Sequence, residues 1–225
     1  MIKILENVVF GLRSLILLGL FVFTVLTGFY ALQLRMDAGF DKQLPIGHEY
    51  IETFTEYREQ LFGSNRMIVV LEPNQGDIWN KEFFKVYKNL TDDIFFLPGV
   101  SRHTVTSLWT PNTRYIEITE DGISADDVIS GKVTADTMTD QNLMKIQSNV
   151  IRGGFVGRLV ADNFGSALVV AELQDYDPST GKRLDYFDLA AKLENQIRAK
   201  YENEQYTVRI IGFAKSTGDI AQGAR

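Results

Sequence analysis

Hydrophobic positions follow two different patterns along this chain. From Ser14 to Leu34 the sequence SLILLGLFVFTVLTGFYALQL runs for 21 residues without a charge, between Arg13 and Arg35. As a helix it rises about 30 Å at ~1.5 Å per residue, the thickness of a bilayer's hydrocarbon core. Beyond it, apolar residues recur every three or four positions or alternate with polar ones, as in amphipathic helices and half-buried strands.

The periodic part predicts a series of short elements. Gly39 to Pro45 reads as a linker, and Ile51, Phe54, Tyr57 and Leu61 put one apolar stripe on a helix from about His48 to Phe62, ended by Gly63. Arg66 to Glu72 is a β-branched run that reads as a buried strand, followed by a turn over Pro73 to Gly76. From Asn80, the residues Phe83, Val86, Tyr87, Leu90 and Ile94 mark a helix closed by Pro98-Gly99. Val100 to Leu108 alternates as a second strand, with Tyr115 to Thr119 its extension or partner, and the acidic stretch Asp121 to Asp140 reads as a surface loop.

Leu143, Ile146, Val150 and Ile151 then suggest a helix ending at Gly153-Gly154. Arg158 to Ala161 and Ser166 to Leu173 read as a hairpin whose turn is supplied by glycine. Tyr186, Leu189, Ala190, Leu193, Ile197 and Tyr201 share a helix face, and Tyr206 to Phe213 is a last strand.

With Trp109 to Asn163 set aside as an insertion, the order is strand, helix, strand, strand, helix, strand. That predicts an α+β fold: one amino-terminal transmembrane helix, then a ferredoxin-like split β-α-β domain with an insertion. Two helices would cover one face of the sheet and leave the other for a partner. The expected divisions are 1–36 (cytoplasmic amino terminus and span), 37–65 (exit linker and helix), 66–215 (α/β domain) and 216–225 (approach to a second span).

Charge sets the expected topology. Lys3 and Arg13 precede the span and Asp37 and Asp41 follow it, so the amino terminus is expected in the cytoplasm. Cleavable signals have shorter apolar runs ending in a small-x-small site, which Tyr30-Ala31-Leu32-Gln33 does not offer, so an uncleaved anchor is expected. A formal net charge of −6 argues against nucleic acid as a partner. With no cysteine, the chain has no thiol nucleophile, disulfide or thiolate metal site.

Little else points to chemistry. His48 and His103 are the only histidines, too few for a zinc site with three or four ligands. Asp175 to Gly181 alternates oxygen side chains as calcium loops do, but its glycine is one place late and the bidentate glutamate is missing, so it reads as a turn. Asp126, Asp127, Asp136 and Asp140 read as solvated. Neither a Gly-x-Ser-x-Gly elbow nor a phosphate-binding loop is present. No catalysis, cofactor or metal is expected. Phe83, Tyr87, Phe95 and Phe96 should pack on the sheet. Trp109 beside Pro111, and Phe155 near the glycine break, are the candidates for touching a lipid-like substrate, because large apolar groups in loops are hard to bury.

Several segments carry a resemblance: D-K-Q-L-P-x-x-H-E-Y (Asp41 to Tyr50), F-x-x-Y-R-x-x-x-F-G-x-N (Phe54 to Asn65), G-D-I-W-N (Gly76 to Asn80), T-D-D-I-F-F-L-P-G-V (Thr91 to Val100), S-L-W-T-P-N (Ser107 to Asn112), Y-I-E-I-T-E-D-G (Tyr115 to Gly122), V-G-R-L-V (Val156 to Val160) and I-G-F-A-K (Ile211 to Lys215). As a set, after a single span, they resemble the amino-terminal part of a resistance-nodulation-division (RND) exporter, in the bacterial branch akin to mycobacterial large membrane proteins and hopanoid transporters.

The resemblance implies a proton-driven exporter of hydrophobic or amphiphilic molecules in the bacterial inner membrane, built of two halves. Each half has one span, a periplasmic porter domain and five further spans. Its implied partners are the lipid bilayer, the remaining transmembrane and second porter segments, and the amphiphilic substrate; a homo-oligomer is compatible with it. The family's proton-carrying carboxylates lie in later spans, and Ser14 to Leu34 contains none. The chain is therefore expected to be a fragment, a transporter module inactive alone. The competing expectation is a single-pass envelope protein with a ligand-binding or protein-interaction domain.

Overall fold

The structure, a computed structural model, describes residues 10–32, 47–57, 65–120, 122–174, 176–177 and 180–223. It divides into two compact units, Met1–Ala38 and Gly39–Arg225. In the first, α1 (Arg13–Ala31) has no buried residue. Leu17, Leu18 and Phe23 are 66%, 62% and 65% exposed, although at about 100° per residue they point in three different directions. Two of its hydroxyls turn back on the helix: Thr24 Oγ1 donates to the Leu20 carbonyl at 2.8 Å and Thr27 Oγ1 to that of Phe23. Hydrocarbon demands such internal satisfaction. The helix is long and apolar enough to cross a membrane, a property that amino-terminal signal sequences share.

The second unit is α+β. Its elements are α2 (Glu49–Tyr57), β1 (Arg66–Pro73), α3 (Lys81–Phe96), β2 (Val100–Thr106), β3 (Arg114–Thr119), β4 (Gly122–Asp127), α4 (Asp140–Arg152), β5 (Ala167–Leu173), α5 (Tyr186–Lys192), β6 (Tyr206–Gly212) and α6 (Phe213–Gly223). The main sheet is ordered β2-β5-β1-β6 with every neighbouring pair antiparallel. The linker Gly39 to Pro45, Gly63 and the expected end of the first amphipathic helix at Phe62 lie outside the described residues.

Alternation sorts the sheet's two faces. Met67, Val69, Leu71, Val169, Ala171 and Val208 are buried, while Ile68, Val70, Leu168 and Val170 on the other face remain partly exposed. α3 covers the buried face because Phe83, Phe84, Tyr87, Leu90 and Ile94 make one stripe. Asn80 starts this helix, its Oδ1 accepting the Phe83 N–H at 2.8 Å. Tyr87 locks it down by donating to the Leu168 carbonyl at 2.6 Å and accepting the Leu108 N–H at 3.2 Å. Burial pushes the Tyr87 phenol's pKa up, so it stays a donor.

α5 runs on through a π-helical turn, Leu193–Arg198, and a last α-turn, Ala199–Tyr201. The spacing of its apolar residues explains the π turn. Leu189, Leu193, Ile197 and Tyr201 are all buried and four residues apart, so a regular α-helix would rotate them off the core by about 40° per step. The wider turn keeps them on one face. α6 then packs on α5, and Gly218 permits it: a Cβ there would lie 2.2 Å from the Ala190 Cβ. The expected boundary between Lys215 and Ser216 thus falls inside one helix, whose residues Ala214, Lys215 and Thr217 are buried.

Three local expectations are corrected. The alternation of Val100 to Leu108 is broken by a register shift between Ser101 and Thr106, so that Val100 and Val105, five positions apart, are both buried. Arg158 to Ala161 is not a strand: Val160 alone bridges to Ala167, and the left-handed turn residue is Phe164 at φ 55, not Gly165. Asp121 to Asp140 is not all loop, since Gly122 to Asp127 is β4, paired with β3 in a separate two-stranded sheet.

Candidate functional site

Both expected substrate-contacting aromatics belong to the insertion, and Trp109 meets α3 there. Trp109 is half-buried, its indole N–H donating to the Phe84 carbonyl at 3.0 Å and its ring edge-on to Phe84 at 6.2 Å. Phe155 is 8% exposed and packs against Gly153, where a Cβ would come within 2.5 Å of its ring. The expectation that loop aromatics stay exposed therefore fails for Phe155. The insertion has its own helix, α4, whose Leu143, Ile146 and Val150 extend the core over it.

Large exposed apolar side chains lie elsewhere, on the β3–β4 hairpin. Its register sets Ile118 opposite Ile123 and Ile116 opposite Ala125, all on one face. Ile116, Ile118 and Ile123 are 70%, 86% and 80% exposed. The opposite face is anchored at its base, where Tyr115 is buried and Glu117 pairs with Arg152 of α4. The sequence did carry this signal. It lay in the alternation of Ile116 and Ile118 in Tyr115 to Thr119 with Gly122 shortly after, and the acidity of the following stretch masked it.

A groove of about 420 Å³ lies between the end of α3 and the π turn. Leu97 and Ile197 form its floor, Phe96 and Pro98 one wall, and Asn195 and Gln196 the other. Asp93 and Lys200 close the end at 2.5 Å, and the Tyr201 hydroxyl donates to the same carboxylate at 2.6 Å. Burial, reinforced by Asp93, pushes the Tyr201 phenol's pKa up, so this triad does not titrate at neutral pH through its tyrosine.

The remaining polar candidates do not converge. His103 is exposed, its Nδ1 3.1 Å from the Ser101 hydroxyl. Among the described residues, no three histidine, aspartate or glutamate side chains are grouped to hold a metal. Asp136 and Asp140 pair with Lys85 and Lys81 at 3.3 and 3.0 Å, which ties the insertion to α3. Asp127 pairs with Arg114 at 3.2 Å. Asp175, Pro178 and Ser179 of the loop before α5 lie outside the described residues. What is described is a tight turn, in which the Asp177 carbonyl accepts the Gly181 N–H at 2.8 Å and Gly181 adopts φ 65.

No protein-family model matches the sequence, and no curated protein matches it.

Proposed function

We propose that the chain is the membrane-anchored porter module of a proton-driven RND-type exporter of hydrophobic or amphiphilic compounds, held in a bacterial inner membrane with its α/β unit in the periplasm. The observation that carries this reading is a helix fit to span a bilayer, followed by an antiparallel sheet ordered β2-β5-β1-β6. With β3, β4 and α4 set aside, that order, crossed by α3 and α5, supports a reading as the ferredoxin-like split β-α-β fold that the resemblance implies. The span carries no carboxylate, so proton coupling belongs to other spans of the transporter. The module's part is to move as a rigid body and shape the path of the cargo.

The test is loss of the coding sequence in the parent cell. Retention of a fluorescent amphiphile such as Nile red should rise several-fold and return on complementation; unchanged retention contradicts the transport reading. A second reading, a single-pass envelope protein with an interaction domain, is favoured by the exposed isoleucine face of the hairpin. It predicts unchanged Nile red retention, with Ile118→Glu releasing a bound envelope partner.

A further inference from the structure

The groove between the end of α3 and the π turn carries more chemistry than its packing needs. Phe96 is 64% exposed there, although Arg102 lies over its ring at 5.6 Å and Phe95 stands edge-on at 5.2 Å. Its neighbours hold the ring yet leave most of the side chain to water, a cost that a ligand would relieve. On the opposite wall, Asn195 and Gln196 are exposed, and both belong to the π turn Leu193–Arg198. Such turns recur at functional sites. This one sets side by side two amides, each with donors and an acceptor.

The end of the groove is polar but neutral. Lys200 and Tyr201 both donate to the same oxygen of Asp93, Oδ2. Among the described residues Oδ1 has no hydrogen-bond partner, so the carboxylate keeps an acceptor in reserve. The pairing cancels the Asp93 charge, and no ionisable side chain of the described residues lines the groove besides these two. A neutral site of donors and acceptors suits an uncharged ligand that does both. The floor narrows the choice, because the side chains of Leu97 and Ile197 offer no hydrogen bond. A hydroxyl pressed on them would be desolvated without a partner, whereas a methyl group would not. The volume, about 420 Å³, is that of a small-molecule site.

We propose that this groove is a binding site for acetamido sugars. The C–H face of the pyranose stacks on Phe96, and the acetyl methyl rests on Leu97 and Ile197. The acetamido N–H and carbonyl pair with the amides of Asn195 or Gln196, and a ring hydroxyl donates to Asp93 Oδ1. Such a site can serve a porter module or a single-pass envelope protein alike, so its test is separate from Nile red retention.

The experiment titrates the full chain in lipid nanodiscs with N,N′-diacetylchitobiose, read by saturation-transfer NMR. Cellobiose, the same disaccharide with hydroxyls in place of the acetamido groups, is the comparison. Chitobiose should bind at least about fourfold tighter, the worth of one buried methyl group, with the strongest transfer at its acetyl methyls. Phe96→Ala and Gln196→Ala, both at exposed positions, should each weaken it by about tenfold. Lys192→Ala, on the same helix but outside the groove, should leave it unchanged. The methyl and octyl glycosides of N-acetylglucosamine identify the source. An octyl form about tenfold tighter, with the gain lost in Phe96→Ala, marks a lipid-borne sugar, and equal binding marks a free glycan. The proposal is overturned if the two disaccharides bind equally, if chitobiose shows no transfer at about 10 mM, or if its binding survives both Phe96→Ala and Gln196→Ala. The disaccharide comparison needs only the parent chain and holds even if a variant does not fold.

Discussion

α1 and α3 are helices of 19 and 16 residues built for different surroundings. α3 buries one stripe, starts at an asparagine cap and spreads Lys85, Lys88 and Asp92 over its outer side. α1 starts at Leu12 without a side-chain cap, is apolar all round and buries nothing. The difference is what each must satisfy. α3 completes a core within water, whereas α1 has no core and its surface suits hydrocarbon on every side.

The comparison can be broken first at the core. Phe83→Ala should destabilise the α/β unit by about 3–5 kcal/mol, read by denaturant unfolding through Trp79 and Trp109. Leu20→Ala in α1 should leave that unfolding curve unchanged. Next, Leu20→Arg places a charge mid-span and should cost about 2.5–3.5 kcal/mol of insertion, seen as a larger alkali-extractable fraction with the α/β unit still folded. Asn80→Ala removes the cap on the Phe83 N–H and should cost about 1 kcal/mol, whereas Leu12→Ala should change nothing measurable. Smallest is Lys88→Ala. It breaks the exposed pair with Asp92 on α3 and should shift stability by no more than about 0.5 kcal/mol, less in high salt.

How much of this was legible depended on whether the deciding interaction is local. The stripe of α3 and the strand expected at Ser166 to Leu173 are written in residues a few positions apart, and both appear in the structure within a residue of where the sequence put them. The π turn was not legible, because four-residue spacing fits a helix face until the drift of a regular helix is weighed against the core it must meet. The β2 bulge depends on Thr104, whose hydroxyl accepts the Glu172 N–H from another strand at 3.0 Å. Phe155 was read as exposed because nothing in its neighbourhood announces that Gly153 and Tyr115 enclose it.

The proposed function requires that α1 span a bilayer with the α/β unit on the far side from the amino terminus. The chain has no cysteine, so single replacements report alone. Lys3→Cys and Ser124→Cys, the latter at an exposed residue of β4, should be treated with a membrane-impermeant maleimide in intact spheroplasts and again after lysis. Labelling of position 124 in intact cells, and of position 3 only after lysis, is the predicted result. Labelling of position 3 in intact cells, position 124 reached only after lysis, or a chain cleaved after the apolar run would contradict it.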